Sequence, residues 1–166
     1  MSSDVPTGKD AIAAPVGVRA DLTPLGFHHY SEQFLEAART VRKYPGFSPV
    51  RYYLYCHSIE LVLKAYLLAK GVSVTDLRSK SLGHNLEGVV SRANKAGLAS
   101  VASVTADEWV ALLRANAYYQ KKGFEYFQIK QVVRTMSHTH TLPDLGVLDS
   151  LAERLGQLIR AICIEA

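Results

Sequence analysis

The chain has 166 residues, 48% of them hydrophobic and 20% charged, with a mean hydropathy of +0.03; this is the range of an ordinary globular domain rather than of a disordered or membrane-embedded chain. No stretch approaches the roughly 18 uninterrupted apolar residues that span a bilayer, because Lys64 breaks the best run, Leu61 to Ala69. Six His and a net charge of +4 leave the chain mildly basic, which permits contact with phosphate backbones or acidic partners without demanding it.

The opening stretch, residues 1–20, mixes Pro, Gly and charges and lacks the basic start and apolar core of a signal peptide, so it reads as a flexible tail. Residues 21–166 then read as one domain. The first helix is expected from about Thr23 to Lys43, capped by Thr23 ahead of Pro24. Its apolar face is Tyr30, Phe34, Ala37, Ala38 and Val41. His28 and His29 fall at its surface or in a partial core. Tyr44 to Phe47 break the helix.

A second helix is expected from Pro49 to Lys70. It is apolar almost all round, which marks a central helix. Its polar residues His57, Glu60 and Lys64 follow one another at steps of three and four, placing them on one stripe within about 60 degrees. Gly71 ends it. A linker from Val72 to Leu82 passes through Gly83 and His84 into a third helix, Asn85 to Ala96, with Asn85 a strong cap.

A fourth helix begins near Thr105, where Thr105 and Glu108 have capping-box spacing. It carries Trp109, Leu112, Leu113, Ala117 and Tyr118 and ends around Gly123. Phe124 to Gly146 reads as a long loop, and a last amphipathic helix runs from Leu148 to Glu165. No segment alternates with period two, so the fold class is all-α. Cys56 and Cys163 sit in apolar helical contexts, which suits two reduced thiols and a cytoplasmic protein better than a disulfide scaffold.

The string Cys56-His57-Ser58-Ile59-Glu60-Leu61-Val62-Leu63-Lys64-Ala65-Tyr66-Leu67-Leu68, followed after a short linker by Leu82-Gly83-His84-Asn85-Leu86, resembles the two signature blocks of bacterial HEPN (higher-eukaryote and prokaryote nucleotide-binding) domain proteins. The resemblance covers about residues 25 to 163. It implies a bundle of four to five antiparallel helices and a homodimer. It also implies a role in RNA processing, toxin–antitoxin pairs, phage defence or accessory nucleotide chemistry, with a nucleotidyltransferase or an antitoxin as a candidate partner protein.

The residues of these blocks also have a reading of their own. Glu60 and Lys64 are in the favoured order for an ion pair on one helix; if the stripe is buried the pair must be hydrogen-bonded, because an isolated buried charge is expensive. His84 and Asn85 stand at a helix start, where Asn85 can cap and exposed N–H groups can hold an anion. His57, Lys64 and His84 converge if the second and third helices pack side by side. The stripe is therefore either structural or ligand-binding.

Ribonucleases of the HEPN family carry an Arg, usually followed by a polar residue, and a His after a gap of four to six residues. In that family the His serves proton transfer at the ribose 2′-OH and the Arg stabilises the phosphorane, with no metal. Arg51 with His57 and Arg134 with His140 meet the spacing. The first pair sits about 120 degrees apart on an early helix. The second lies in the expected loop, and the fourth helix offers Arg114 to Gln120 with no His, a departure from the family pattern.

His138-Thr139-His140 lacks the further ligands that a metal site requires. No metal or other cofactor is expected. From Arg51 to Arg134 there are twelve Lys and Arg against six Asp and Glu. Within that basic middle Arg114, Tyr118, Lys121 and Lys122 are candidate RNA contacts, with Tyr119, Phe124 and Tyr126 interleaved as in single-strand binders. The expected function is a non-catalytic dimeric module that binds RNA, a nucleotide or a partner protein. The alternative is a metal-independent endoribonuclease of the toxin type that uses Arg134 and His140.

Overall fold

The structure is a computed structural model, and it describes residues 20–43, 46–125 and 142–166. Among these the elements are helical: α1 (Pro24–Thr40), α2 (Pro49–Ala69), α3 (Val74–Leu77), α4 (Leu86–Lys95), a 3-10 turn (Leu98–Ser100), α5 (Ala106–Tyr119) and α6 (Leu145–Glu165). No described helix is long and apolar enough to cross a membrane.

The helix starts follow local chemistry. The Thr23 hydroxyl accepts the Gly26 N–H at 3.1 Å, and Thr105 and Glu108 close a reciprocal capping box, with the Thr105 N–H donating to Glu108 Oε2 at 2.8 Å. Asn85 Oδ1 accepts the Gly88 N–H. Gly71 ends α2 at φ 83°, the left-handed conformation that glycine adopts without a Cβ penalty.

Several boundaries differ from the sequence expectation: α1 ends at Thr40 rather than Lys43 and α5 at Tyr119 rather than around Gly123. The linker after α2 contains α3, four residues capped by Ser73 on the Asp76 N–H, too short to show any periodicity. The last helix begins at Leu145 rather than Leu148, because Asp144 caps it on the Gly146 N–H at 2.6 Å. The loop expected before it therefore ends at Pro143, and its residues 126–141 lie outside the described set.

Helix α2 is the centre of the bundle, packed by α1, α6, α4 and α5. Ile59, Leu63, Ala65, Tyr66 and Leu67 are fully buried on it, and they meet Leu35 and Ala38 of α1, Val89 and Ala93 of α4, Leu112 and Ala115 of α5, and Leu151, Leu155 and Ile159 of α6. An all-round apolar helix has this position because each of its faces must be covered.

The buried faces of two helices are rotated from those read in the sequence. On α1 the buried residues are Gly26, His28, Ser31, Leu35 and Ala38, while Tyr30, Phe34 and Val41 are half-buried. The serines of this face and of α2 are paired through backbone carbonyls: Ser31 Oγ donates to the His28 carbonyl at 2.7 Å, and Ser58 Oγ donates to the Ser31 carbonyl at 2.8 Å. His28 is fully buried rather than at the surface; its Nε2–H donates to the Gly156 carbonyl of α6 at 2.8 Å. On α5 the buried residues are Ala111, Leu112, Ala115, Asn116 and Tyr119, whereas Leu113 and Ala117 are exposed.

Candidate functional site

The polar stripe of α2 is buried. Glu60 is 2% exposed and Lys64 8%, so the alternative of a solvated surface pair is removed. Lys64 Nζ lies 2.5 Å from Glu60 Oε1, and the backbone N–H of His84 reaches the same oxygen at 3.4 Å. The other oxygen, Oε2, accepts the Tyr119 hydroxyl of α5 at 2.5 Å. Three elements thus meet on one carboxylate.

Two imidazoles complete the cluster. His57 Nδ1 is 2.8 Å from the Tyr119 hydroxyl and His84 Nδ1 is 3.2 Å from it. A phenol has one proton to give and two lone pairs. With that proton given to Glu60, both ring nitrogens donate to the phenol oxygen, so each imidazole carries a proton on Nδ1. Among the described residues neither Nε2 has a hydrogen-bond partner, and the side chains of His57 and His84 are 18% and 35% exposed.

The rings are held from several sides. His57 stacks on Tyr53 at 5.5 Å and 12°, meets the edge of Phe34 at 4.4 Å and faces His84 at 6.0 Å and 28°. His84 adopts φ 51°, a left-handed conformation that is uncommon outside glycine though His is among the residues enriched there. That turn brings its ring back over α2.

These contacts set the protonation of the cluster. Burial pushes the Glu60 carboxyl upward, but the nearby His57 and His84 imidazoles and the Lys64 ammonium outweigh it and hold the group well below the usual carboxylate range. The Glu60 carboxylate beside it raises the His84 imidazole, against the opposing effect of burial. Burial, and then the Glu60 charge, push the Tyr119 phenol far up. Glu60 is thus an ionised carboxylate with every oxygen engaged, poorly suited to act as a general base.

Asn85 stands beside this cluster as a cap. Its Oδ1 accepts from Gly88 N–H and from Asn116 Nδ2 at 3.2 Å, and its Nδ2 donates to the Ser81 carbonyl. Asn116 Oδ1 in turn accepts the Leu86 N–H at 2.8 Å, which clips the start of α4 onto α5.

Of the residues read from sequence, His57, Glu60, Lys64 and His84 are brought together. Tyr119 and Asn116 are the additions, and their spacing of i, i+3, i+4 and i+7 with Leu112 and Ala115 was the available signal. Arg51 does not join His57: its guanidinium donates to the Ala38 carbonyl and lies 3.4 Å from the Tyr55 hydroxyl. It lines a separate cleft of about 550 Å³ with Arg39, Tyr52 and Asp149. Arg39 there is committed to Asp149 and Glu153.

Arg134 and His140, with His138 and Tyr126, lie outside the described residues. Arg114, Lys121 and Lys122 are exposed. Tyr118 is half-buried and stacks on Phe124 at 5.8 Å, and Phe124, 5% exposed, stacks on Tyr52 at 5.5 Å. Phe124 is therefore part of a packed aromatic cluster rather than a stacking surface. Cys56 is fully buried and burial pushes its thiol upward; the Cys163 thiol is pushed up to about 11. Neither is an activated nucleophile.

No family model matches the chain, and comparison with curated proteins and with solved structures gives no match.

Proposed function

We propose that the chain is a non-catalytic HEPN-like module that works as a cytoplasmic homodimer and binds RNA or a nucleotide, within a toxin–antitoxin, defence or RNA-related system. The observation that carries this reading is the saturation of Glu60, whose oxygens are taken by Lys64, Tyr119 and the His84 N–H. The one strongly held acid of the cluster is built to fix three elements in place rather than to shuttle protons. The resemblance of the Cys56–Leu68 and Leu82–Leu86 blocks supplies the family.

An anionic ligand is favoured by the exposed cations on α5 and just after it. Lys121 and Lys122 follow Tyr119 closely in the chain and are exposed, as is Arg114 one to two turns earlier on α5. Phosphate contacts by such side chains give salt-dependent binding. A partner protein, as a nucleotidyltransferase or an antitoxin, would then act on or mask this surface.

The test is fluorescence anisotropy with labelled single-stranded RNA, and competition by nucleoside triphosphates, at two salt concentrations. Binding is expected to weaken as salt rises and to fall in Arg114→Glu and Lys121→Glu. Absence of salt-dependent binding by either ligand at tens of micromolar protein would overturn the reading. Sedimentation tests the dimer, and a monomer at micromolar concentration would count against that part.

A further inference from the structure

The cluster has a second property, independent of any RNA ligand: its spacing. The ligand atoms of His57, Glu60 and His84 all lie within 4.8 Å of one another. From Glu60 Oε2, His57 Nδ1 is 3.8 Å away and His84 Nδ1 3.3 Å. The Tyr119 oxygen lies 2.5 Å from that carboxylate oxygen and 2.8 and 3.2 Å from the two ring nitrogens. A tetrahedral zinc ion with bonds of about 2.0–2.1 Å holds its donors roughly 3.3–3.4 Å apart. The two carboxylate–imidazole separations lie close to or above that value, and the three to the Tyr119 oxygen are shorter, so an ion bound here would push that oxygen outward.

We propose that His57, Glu60, His84 and Tyr119 form a four-donor site for zinc or a similar divalent transition metal. Two imidazole nitrogens with two oxygens suit zinc or cobalt, whereas magnesium and calcium take oxygen-only shells.

The surroundings have the form that metal ligands need. Lys64 and the His84 N–H grip Glu60 Oε1, leaving Oε2 to face the imidazoles. Outer contacts of this kind orient ligands and tune their affinity. His57 is fixed by Tyr53 and Phe34, and the left-handed turn at His84 aims its ring at the same point. The exposed rim of His84 gives an ion its way in.

Without the ion, protons do the joining. On binding, each imidazole proton moves from Nδ1 to Nε2, and the Tyr119 proton leaves to solvent as the phenolate oxygen bonds the ion. Glu60 and Tyr119 then supply two negative charges to the divalent ion, and Lys64 keeps its own positive charge. No electron is transferred.

The experiment uses the full chain, stripped with a chelator and titrated with cobalt(II). Intense visible bands of a four-coordinate ion are expected, reaching a plateau at one equivalent and bleached by zinc. Zinc should also raise the thermal midpoint. His84→Ala, at the rim, should keep the helical circular dichroism and lose affinity by at least about tenfold. If that variant does not fold, His84→Gln takes its place, since it keeps a hydrogen-bonding side chain. A double variant, His138→Ala with His140→Ala, should bind as the parent does. No stoichiometric band, a band that survives loss of the His84 imidazole, or one that vanishes in the double variant would each overturn the proposal. RNA binding is measured on the stripped protein, so failure here and failure of the RNA reading are separately visible.

Discussion

The Tyr119 hydroxyl lies 2.5 Å from Glu60 Oε2, joining α5 to α2 through a carboxylate that is 2% exposed. Removing that hydroxyl leaves a buried charged acceptor short of one partner and keeps the ring's packing. Tyr119→Phe, without metal, should therefore lose about 1.5–3 kcal/mol, the range of a hydrogen bond to a charged group. Urea unfolding reads it, and a loss of only a few tenths would mean that the bond contributes nothing net.

Lys64 poses a harder case. Its ammonium is the cation nearest Glu60, and truncating one partner of a buried pair leaves the other uncompensated. Lys64→Met should cost about 3–5 kcal/mol. Adding Glu60→Gln removes the stranded charge while keeping an acceptor for Tyr119, so the double variant should be more stable than Lys64→Met alone. A double variant that is less stable would show that Glu60 does not depend on Lys64.

How much of this was legible in the sequence depends on how local each signal is. Caps are local: Thr23 before Pro24, Asn85, and Thr105 with Glu108 all act where their residue types place them. The centrality of α2 was legible because an all-round apolar helix has one kind of home. The stripe His57, Glu60, Lys64 follows from helical spacing, whereas its burial comes from Tyr119 of α5 and the His84 turn closing over it. The phase of the amphipathic helices was less legible. On α1 the aromatic residues Tyr30 and Phe34 outweigh Ser31 in any hydrophobic count, yet Ser31 faces the core because it makes and receives bonds there. Tyr119 sits with Tyr118 in a basic segment, where aromatics interleaved with cations suit nucleic-acid contact. What separates them is the spacing of Tyr119 with Leu112, Ala115 and Asn116, which puts it on the face that α5 turns to α2. The short α3 has too few residues for a period, although Ser73 and Asp76 carry a capping pattern.

A pH effect is expected at the seam between α1 and α6. Arg39 Nε and Nη2 reach Asp149 at 2.7 and 3.1 Å, and these bonds, against the opposing effect of burial, hold the Asp149 carboxyl below its ordinary value. A depressed carboxylate stabilises the fold fully above its unfolded value, about 3.9, and this contribution is lost as pH falls toward the folded value. Asp149→Asn should thus be less stable than the parent near neutrality and approach it as pH drops below about 4. Chemical denaturation at several pH values measures the gap. A gap that stays constant across that window would show that Asp149 contributes through packing alone.

RNA cleavage in the presence of a chelator separates the binding module from the nuclease. A metal-independent ribonuclease using Arg134 and His140 would move a proton and stabilise the phosphorane with side chains alone, so chelator would not stop it. On the non-catalytic reading, the purified chain cuts no single-stranded RNA in the presence of a chelator. Arg134→Ala and His140→Ala then have no cleavage to lose, while Lys64→Ala is the more damaging change because it strands Glu60 in the bundle. Gel analysis of end-labelled RNA and thermal unfolding of the three variants give both answers from the same preparations. Chelator-resistant cutting that disappears in Arg134→Ala and in His140→Ala would replace the binding module with the nuclease. It would leave the Glu60 cluster as the scaffold on which that activity rests.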